Sequence, residues 1–282
     1  MSRVPPPASP TDEVSRHNAA VIDNTDSATL LDVTGGVATV TLNRPANRNA
    51  LSVDLVESLA ANLDKAIGDT AAKVIVLTGT GTVFCAGADL KERRTVSTTG
   101  ADDDLPLFVR IFQRIGAAPK PVIAKLNGSA LAGGLGLACA CDFAIAPRRA
   151  MFGFTEVRIG AAPAIISVIC LPKLRASDAA ELFLTGERIN ADEAARVGLI
   201  TRAVDDDQLD AAVDALVAKL LLGGPKAMAA SKELLRRVPG FGSQEEAFRW
   251  TAKLSAELFA DDEAIEGMTA FAEKRPPSWV RG

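Results

Sequence analysis

The chain has 282 residues, 48% of them hydrophobic and 23% charged, with a formal net charge of −4. It is long enough to bury a large core, which predicts a globular protein. Its charges form no basic stripe and no apolar run reaches the roughly 18 residues of a membrane span, so neither a nucleic acid nor a membrane is expected as a partner.

The N-terminal segment differs in composition from the rest of the chain. Residues 1–25 contain a run of three prolines and many polar residues, so they are expected to form a disordered tail. The proline run stands where a signal peptide would need an apolar segment, which predicts a cytoplasmic protein.

The histidine and cysteine content limits the chemistry that the chain can use. The sole histidine, His17, falls in the predicted tail, so neither a His-based nucleophilic site nor a His-ligated metal is expected. The cysteines lie in apolar stretches and lack CxxC spacing, which predicts buried free thiols and no metal site. They are Cys85, Cys139, Cys141 and Cys170.

The first predicted elements after the tail are a hairpin, a helix and a strand. The stretch "ATLLDVTGGVATVTL" at 28–42 has two β-branched runs around a Gly-Gly pair, which predict a hairpin. Apolar residues at helical spacing over 53–67 predict a helix with Ser52 as its N-cap. The apolar run in "KVIVLTGTG" at 73–81 then predicts a buried parallel strand.

Helix and strand patterns continue to alternate along the next part of the chain. After the polar stretch "VSTTGADDD", which predicts a loop, a helical pattern precedes a second buried strand in "KPVIAKLNG". This alternation predicts an α/β fold with a mostly parallel sheet over 26–205. The pattern of 206–282 is almost entirely helical, and we expect this region to mediate oligomerisation.

Two strand ends carry loops of small residues that could form one site. The loops "TGTGTVFCAGADL" (78–90) and "LNGSALAGGLGL" (126–137) follow the two buried strands, where ligands bind in parallel sheets. Small residues let a ligand approach the main chain, and a helix starting in "GGLGLACA" would present unpaired N–H groups. Close packing explains the same residues equally well. A dinucleotide-binding loop is disfavoured, because Cys139 stands where its third glycine would lie.

Six motifs resemble, in order, those of the crotonase, or enoyl-CoA hydratase/isomerase, superfamily. They are "LNRPANRNALS", "FCAGADLKE", "NGSALAGGLGLACACDFAIA", "FGFTEVRIG", "LTGERINADEAARVGLI" and "EGMTAFAEKRPPSW". The resemblance implies the ClpP/crotonase-like α/β fold, a spiral of ββα units with a helical C-terminal region. It also implies an enzyme acting on an acyl-CoA thioester, with coenzyme A as part of the substrate and no other cofactor, assembled as a homotrimer or dimer of trimers.

The resemblance assigns catalytic roles to three positions. The main-chain N–H groups of Ala88 and Gly133 would form an oxyanion hole for the thioester oxygen, and Glu156 would be the acid/base carboxylate. Apolar neighbours would raise the pKa of Glu156 toward the range useful for proton transfer. Arg158 is expected to oppose this effect, since in an extended segment it would share a face with Glu156 and form a salt bridge.

Further positions are implied as substrate-binding residues. Coenzyme A would lie along the first three motifs, and Lys274 would reach its nucleotide from a neighbouring subunit. Ordinary surface charge is the alternative for the lysines. The positions are Ala46, Arg48, Ala86, Asp89, Leu90, Lys91, Gly136 and Lys274.

One departure from the family concerns the reaction itself. Hydratases of the family carry a second glutamate where this chain has Gly136. Two carboxylates holding one water are the usual explanation of hydration, whereas a single carboxylate suffices for a 3,2-enoyl-CoA isomerase. Hydration of a 2-enoyl-CoA is still expected first, because "AGGLGL" and "TEVRIGAAPA" resemble segments of methylglutaconyl-CoA hydratases. The isomerase and a non-catalytic acyl-CoA-binding protein are the alternatives.

Two expectations follow from the departures. Gly136→Glu should increase hydration if the missing carboxylate is the only difference. The "PGxGG" turn of the hydratases reads Pro163-Ala164-Ile165 here, so the pocket near the acyl chain is expected to differ.

Overall fold

The structure is a computed structural model that describes residues 27–93 and 105–280. The predicted tail, His17 and the predicted loop "VSTTGADDD" lie outside these residues. The strands are β1 (Thr29–Thr34), β2 (Val37–Leu42), β3 (Val74–Gly79), β4 (Val83–Cys85), β5 (Val122–Lys125), β6 (Ser129–Leu131), β7 (Phe143–Pro147), β8 (Met151–Gly153), β9 (Ile189–Asn190) and β10 (Arg202–Val204). The helices are α1 (Val53–Gly68), α2 (Leu90–Arg93), α3 (Leu107–Ala117), α4 (Gly133–Ala140), α5 (Ala164–Cys170), α6 (Ala176–Thr185), α7 (Ala191–Arg196), α8 (Leu209–Leu220), α9 (Pro225–Arg237), α10 (Gln244–Phe259) and α11 (Asp262–Ala272).

Two sheets organise the α/β part of the chain. The larger has the strand order β1-β2-β3-β5-β7-β10, and the smaller has the order β4-β6-β8-β9. β1 and β2 form the predicted antiparallel hairpin, and the other pairings of the larger sheet are parallel. The chain visits the larger and then the smaller sheet in β3-β4, β5-β6 and β7-β8, and each pair leads into a helix. This order produces the predicted spiral of ββα units.

The larger sheet is buried on both faces at its central strand β3, which explains why β3 is apolar without alternation. Ile75 and Leu77 pack into the main core, whereas Val74 and Val76 pack on the opposite face against residues such as Leu216 of α8. All four β3 side chains are almost completely enclosed. The predicted buried parallel strand is therefore confirmed.

Helix α1 packs one apolar face on the hairpin strands. Its buried residues include Leu55, Leu59 and Leu63, which recur at helical spacing. Ser52 accepts a hydrogen bond from the Leu55 N–H at 3.2 Å, which confirms the predicted N-cap. This anchoring fixes the turn that precedes α1, and that turn forms part of the site described below.

The cysteines are buried free thiols, as predicted. Burial raises the pKa of the Cys85 thiol to about 12, so this group stays protonated at neutral pH. The thiols of Cys139 and Cys141 lie 3.5 Å from the carbonyl oxygens of Leu199 and Leu137. They therefore act as small core residues.

The strands of the smaller sheet are not predicted by the sequence pattern. β4, β6 and β8 have three residues each and β9 has two. Their partners are distant in sequence, as in Val83 with Ser129 and Ala130 with Phe152. A strand of two or three residues is too short to show alternating apolar and polar residues, so the sequence pattern predicts loops at these positions.

The region after residue 205 is mainly helical, as predicted. Its last two helices bury few side chains against the rest of the described chain. α10 has no buried residue, and α11 buries only Ala270. The large exposed apolar side chains on these two helices are Phe248, Phe259, Ile265, Met268 and Phe271. The predicted boundary at 205/206 lies between β10 and α8, and the oligomerisation role of the region stays a prediction. Over the described ranges, no helix has the length and apolarity needed to cross a bilayer.

Candidate active site

Two turns are joined side by side at the site. The first, after β2, contains a short 3-10 helix, Pro45–Asn47, and the second follows β4. The Ala86 N–H donates to the Arg48 carbonyl at 3.1 Å, and the Leu51 N–H donates to the Gly87 carbonyl at 2.8 Å. These main-chain bonds fix the second turn relative to the first.

Asp89 holds the same two turns together through its side chain. Its carboxylate accepts hydrogen bonds from Asn47 Nδ2 at 2.6 Å and from the Lys91 N–H at 2.9 Å. These bonds, the Asn47 amide first, lower the pKa of the Asp89 carboxyl. The side chain is buried and is not part of the wall of the cavity described below. These contacts suit a positioning role for Asp89, and the substrate contact that the resemblance implies stays a prediction.

Helix α4 begins directly after a strained residue. Ala132 has φ 49° and ψ −126°, and such conformations cost a non-glycine residue about 1–3 kcal/mol. Its N–H donates to the Gly153 carbonyl at 2.9 Å, and its carbonyl accepts from the N–H groups of Leu135 and Gly136. The surrounding hydrogen bonds therefore hold the strained turn that presents the first N–H groups of α4.

The second turn lies against the start of α4. A Cβ added to Gly87 would come within 2.9 Å of the Ala132 Cβ and 3.4 Å of the Gly133 nitrogen. Gly87 also has a φ of 94°, so both its conformation and this close approach favour glycine. Within the described residues, the N–H groups of Ala88 and Gly133 donate no hydrogen bond. Both residues line one cavity.

The remaining glycines at the start of α4 serve close packing. A Cβ on Gly134 would lie 2.4 Å from the Cys85 carbonyl oxygen, and a Cβ on Gly136 would lie 2.3 Å from Cγ2 of Ile166. Gly136 thus lies behind Ile166 and does not line the cavity in the described part of the chain, although the resemblance suggested substrate contact. Gly134 and Gly136 therefore fit the packing interpretation of this segment, whereas Gly133, on the cavity wall, fits the ligand interpretation.

Glu156 contributes a buried carboxylate oxygen to the cavity. It lies in a 3-10 helix, Thr155–Ile159, that follows β8, and the residue is half-buried. Its Oε2 is buried and has no hydrogen-bond partner among the described residues. Burial raises the pKa of Glu156, while its own main-chain N–H acts in the opposite direction. A carboxylate in this state is suited to accept and return a proton.

The prediction of a salt bridge between Arg158 and Glu156 is wrong. The segment is a 3-10 helix rather than an extended strand, so residues two positions apart point roughly 120° away from each other. Arg158 Nε donates instead to the Thr185 carbonyl at 3.2 Å. Because the segment is helical, the Arg158 guanidinium does not lie beside the Glu156 carboxylate, where it would have kept that group ionised.

The cavity has a volume of about 370 Å³ and brings several predicted site residues together. Those on its wall are Ala86, Ala88, Leu90, Gly133 and Glu156. The predicted positions that are not on this wall, within the described chain, are Ala46, Arg48, Asp89, Lys91, Gly136 and Lys274. Arg48 and Lys91 are exposed beside the joined turns, and Lys274 is exposed just after α11.

Most of the cavity wall is apolar and escaped the sequence analysis. The residues that it missed include Leu51, Val56, Phe108, Ile159 and Ile166. Ile166 had one signal, because it stands at a glycine position of the family "PGxGG" turn. Phe108 had none, since its helical spacing equally fits an ordinary core residue.

This arrangement suits a reaction that develops negative charge on a carbonyl oxygen. Two unpaired main-chain N–H groups can donate to such an oxygen, and Glu156 is the only ionisable side chain on the described wall. Apolar surroundings strengthen these interactions because they lower the local dielectric constant. The chemistry available is therefore proton transfer beside a polarised carbonyl group.

Comparisons with known proteins show the family to which the chain belongs. A family model described as Enoyl-CoA hydratase/isomerase matches residues 32–282. A short-chain-enoyl-CoA hydratase from Clostridium acetobutylicum is 34% identical over 87% of this chain and 95% of its own length. A crotonyl-CoA hydratase from Syntrophomonas wolfei is 35% identical over 86% of this chain and 94% of its own length.

The fold is shared with solved structures of similar proteins. The crystal structure of an enoyl-CoA hydratase from Mycobacterium smegmatis superposes with a TM-score of 0.83 at 34% identity. The alignment covers 89% of this chain and 98% of that chain. The chain is thus an enzyme of the enoyl-CoA hydratase/isomerase, or crotonase, family.

Proposed function

We propose that this enzyme hydrates a 2-enoyl-CoA thioester, with Ala88 and Gly133 as the oxyanion hole and Glu156 as the acid/base residue. The observation that carries the proposal is that Oε2 of Glu156 has no hydrogen-bond partner among the described residues and shares one small, mostly apolar cavity with the main-chain N–H groups of Ala88 and Gly133, which donate to no atom of these residues. The names of two relatives, a short-chain-enoyl-CoA hydratase and a crotonyl-CoA hydratase, support hydration as the reaction.

The proposed reaction uses one carboxylate twice. Glu156 removes a proton from water as the water oxygen bonds to the β-carbon, and the double-bond electrons move onto the thioester oxygen as an enolate. The N–H groups of Ala88 and Gly133 stabilise that oxygen, each by about 3 kcal/mol in a dry site. The proton on Glu156 then passes to the α-carbon, which completes the addition of water and returns the carboxylate to its ionised form.

Coenzyme A is proposed to lie along the joined turns, as part of the substrate and with no further cofactor. Leu90 lines the cavity, and Lys91 is exposed directly after it. Arg48 is exposed on the first of the joined turns, and both cations can pair with phosphate groups. The main chain at Ala46 and Ala86 would contact the rest of the carrier. The Arg48–Ala86 main-chain bond keeps these two surfaces adjacent.

A second copy of the chain is proposed to cover α10 and α11, in a trimer or a dimer of trimers. Phe248 is 72% exposed and Phe271 is 87% exposed, and together with the other apolar residues of these helices they would form an unusually large apolar surface for a free monomer. Lys274 directly follows α11 and would then reach coenzyme A on the neighbouring subunit. Light scattering would detect the assembly, and a monomer at micromolar concentration would contradict it.

The isomerase is the second candidate, and a specific observation favours it. Gly136 stands where hydratases of the family carry a second glutamate, and the wall of the cavity in the described residues holds one carboxylate. One carboxylate can remove a proton from one carbon and return it to another. The same oxyanion hole would stabilise the intermediate enolate.

An absorbance assay with two substrates separates these functions. The purified protein would be supplied with crotonyl-CoA and with 3-hexenoyl-CoA, and the absorbance of the conjugated enoyl thioester would be followed. Hydration predicts loss of the signal from crotonyl-CoA, whereas isomerisation predicts a gain from 3-hexenoyl-CoA. No change with either substrate, together with heat of binding by calorimetry, would indicate an acyl-CoA-binding protein and overturn the proposal.

A further inference from the structure

A second cavity adjoins the cavity described above. It has a volume of about 640 Å³, and three residues belong to the walls of both cavities, namely Leu90, Thr155 and Ile159. The other described residues on its wall are Arg158, Glu187 and Arg188. A mostly apolar cavity therefore adjoins one with three charged side chains on its described wall.

The 3-10 helix Thr155–Ile159 connects the two cavities. It carries Glu156 on the wall of the first cavity and Arg158 on the wall of the second. A 3-10 helix rises about 2 Å per residue, so these two positions are only about 4 Å apart along its axis. The turn that directs Arg158 away from Glu156 thus places it on the adjoining wall, a short distance from the proposed acid/base carboxylate.

Close packing between two segments fixes the stems of both arginines. A Cβ on Gly186 would lie 3.1 Å from Cγ of Arg158, and a Cβ on Gly153 would lie 3.4 Å from Cγ of Arg188. Arg158 Nε also donates to the Thr185 carbonyl at 3.2 Å. Because the stems are already packed, less side-chain freedom is lost when the guanidinium groups bind a ligand.

No carboxylate of the described chain neutralises these two arginines. Within residues 27–93 and 105–280, Arg158 and Arg188 form no salt bridge, whereas Arg175 and Arg196 lie 2.7 and 2.6 Å from acidic partners. Glu187 is the only acidic residue on the described wall of the second cavity, and it pairs with neither arginine. Two cations and one anion leave an excess of positive charge there, which favours a ligand with a negative group.

We propose that Arg158 and Arg188 form an anion-binding subsite that holds a negatively charged group of the bound thioester. This inference rests on the proposed function for the position of the thioester in the first cavity. Two groups of such a ligand have the required chemistry, a phosphate of the coenzyme A carrier and a carboxylate at the far end of the acyl group. An arginine can donate two parallel hydrogen bonds to either group.

The test measures the binding of three saturated thioesters by calorimetry at fixed ionic strength. Hexanoyl-CoA and adipyl-CoA have the same number of acyl carbons, and only adipyl-CoA ends in a carboxylate. Hexanoyl-pantetheine lacks the phosphates. The double variant Arg158→Gln with Arg188→Gln should lose about tenfold or more in affinity for the ligand whose anionic group it holds, as expected for hydrogen bonds to a charged group.

The pattern of losses identifies the anionic group. A loss with hexanoyl-CoA but not with hexanoyl-pantetheine assigns the phosphate, whereas a loss confined to adipyl-CoA assigns the carboxylate. Unchanged affinity for all three ligands would overturn the subsite. An equal loss with hexanoyl-pantetheine would also overturn it, because that ligand carries no negative charge.

Two further variants test the effect of charge. Arg202→Gln changes an exposed arginine on β10 that lies outside both cavity walls, and it should alter no affinity. Glu187→Gln removes the negative charge from the second cavity and should strengthen binding of the same ligand about twofold to fivefold. Equal losses in Arg202→Gln, or weaker binding in Glu187→Gln, would contradict the inference.

The absorbance assay separates failure of this inference from failure of the proposed function. If crotonyl-CoA is hydrated and the double variant binds all three ligands as the wild type does, only the subsite fails. If crotonyl-CoA is not hydrated but the affinity loss appears, hydration fails and the subsite stands.

A milder variant covers the case in which the double variant does not fold. Arg188→Lys keeps the charge and much of the packed stem, but an ammonium group lacks the planar fork of donors. Its affinity for the same ligand should fall about twofold to tenfold. Unchanged affinity for hexanoyl-CoA and adipyl-CoA in Arg188→Lys would then contradict the inference.

Discussion

Ile166 occupies the space that any side chain at position 136 would need: a Cβ on Gly136 would lie 2.3 Å from Cγ2 of Ile166. The two residues are complementary in volume: Gly136 of α4 has no side chain, and the Ile166 side chain of α5 fills that space. The sequence-based hypothesis that Gly136→Glu alone would restore a two-carboxylate site is therefore disfavoured. A glutamate there needs a smaller residue at 166 as well.

The first prediction concerns the stability of this pair. Gly136→Ala should lower the free energy of unfolding by about 1–3 kcal/mol, because overpacking in a core has that cost. Adding Ile166→Ala should cost less than the sum of the single changes, with a coupling of about 1 kcal/mol or more between contacting residues. Urea denaturation followed by circular dichroism measures these values at a fixed protein concentration.

Gly116 provides the control for the first prediction. It lies in α3, and a Cβ there would meet no atom of the described residues within 4 Å. Gly116→Ala should raise the stability by about 0.5–1 kcal/mol through helix propensity alone. Equal effects of the alanine substitutions at 116 and 136 would show that packing against Ile166 is not the cause.

The second prediction is that Glu156→Gln abolishes turnover but stabilises the fold. We expect kcat/KM to fall by at least about 10²-fold, the usual contribution of an acid/base residue. Because burial raises the pKa of Glu156, the protonated form is the one that the fold favours. The protonated side chain therefore stabilises the fold below the pKa that Glu156 has in the unfolded chain. This contribution is lost as the pH rises through the higher pKa of the folded state.

The glutamine variant should therefore have the higher melting temperature at pH 7, because it does not carry a charge into the half-buried site. Near pH 4 this advantage should shrink, since Glu156 becomes protonated. Glu57→Gln, on the exposed face of α1, is the control and should change neither property. A glutamine variant that is active, or less stable at pH 7, would contradict the role given to Glu156.

The third prediction is an acidic limb in the pH profile of the enzyme. Glu156 must be ionised to take a proton from water, and its pKa is raised by burial. The logarithm of kcat/KM should therefore fall by about one unit per pH unit below a pKa higher than the ordinary glutamate value of about 4.3. Activity that stays constant down to that ordinary value would rule out Glu156 as the base.

The fourth prediction concerns Lys232, which ties the C-terminal helices to the sheet. Its Nζ lies 2.7 Å from Asp142 Oδ2 and donates to the carbonyls of Ile115 and Lys120 at 2.8 and 3.0 Å. Lys232→Met should lower the free energy of unfolding by about 3 kcal/mol, because it leaves a largely buried carboxylate without its cation. Urea denaturation at fixed protein concentration checks this value.

A surface lysine supplies the comparison for Lys232. Lys253 pairs with Glu257 at 3.8 Å on an exposed face of α10, so Lys253→Met should cost less than about 1 kcal/mol. Similar losses in the two variants would show that burial of the Lys232–Asp142 pair contributes nothing. Lys232→Met with Asp142→Asn should recover part of the loss.

Local sequence patterns determined the elements that depend on a few neighbouring residues. The hairpin at β1 and β2, the Ser52 cap of α1 and the buried strand β3 all follow from spacing and turn chemistry within single segments. Motif resemblance added the family and the residues Ala88, Gly133 and Glu156, which the structure places on one cavity wall. Their catalytic roles stay predictions.

Tertiary structure decided the features that depend on contacts between distant segments. Only the fold shows that Gly136 faces Ile166 while Gly133 faces the cavity, because identical glycines in one helix differ by what approaches them. It also made the Glu156 segment a 3-10 helix, which turned Arg158 away, and paired three-residue strands such as β4 and β6 across more than 40 positions. Propensity acts over a few residues, whereas these outcomes depend on which surfaces the completed core brings together.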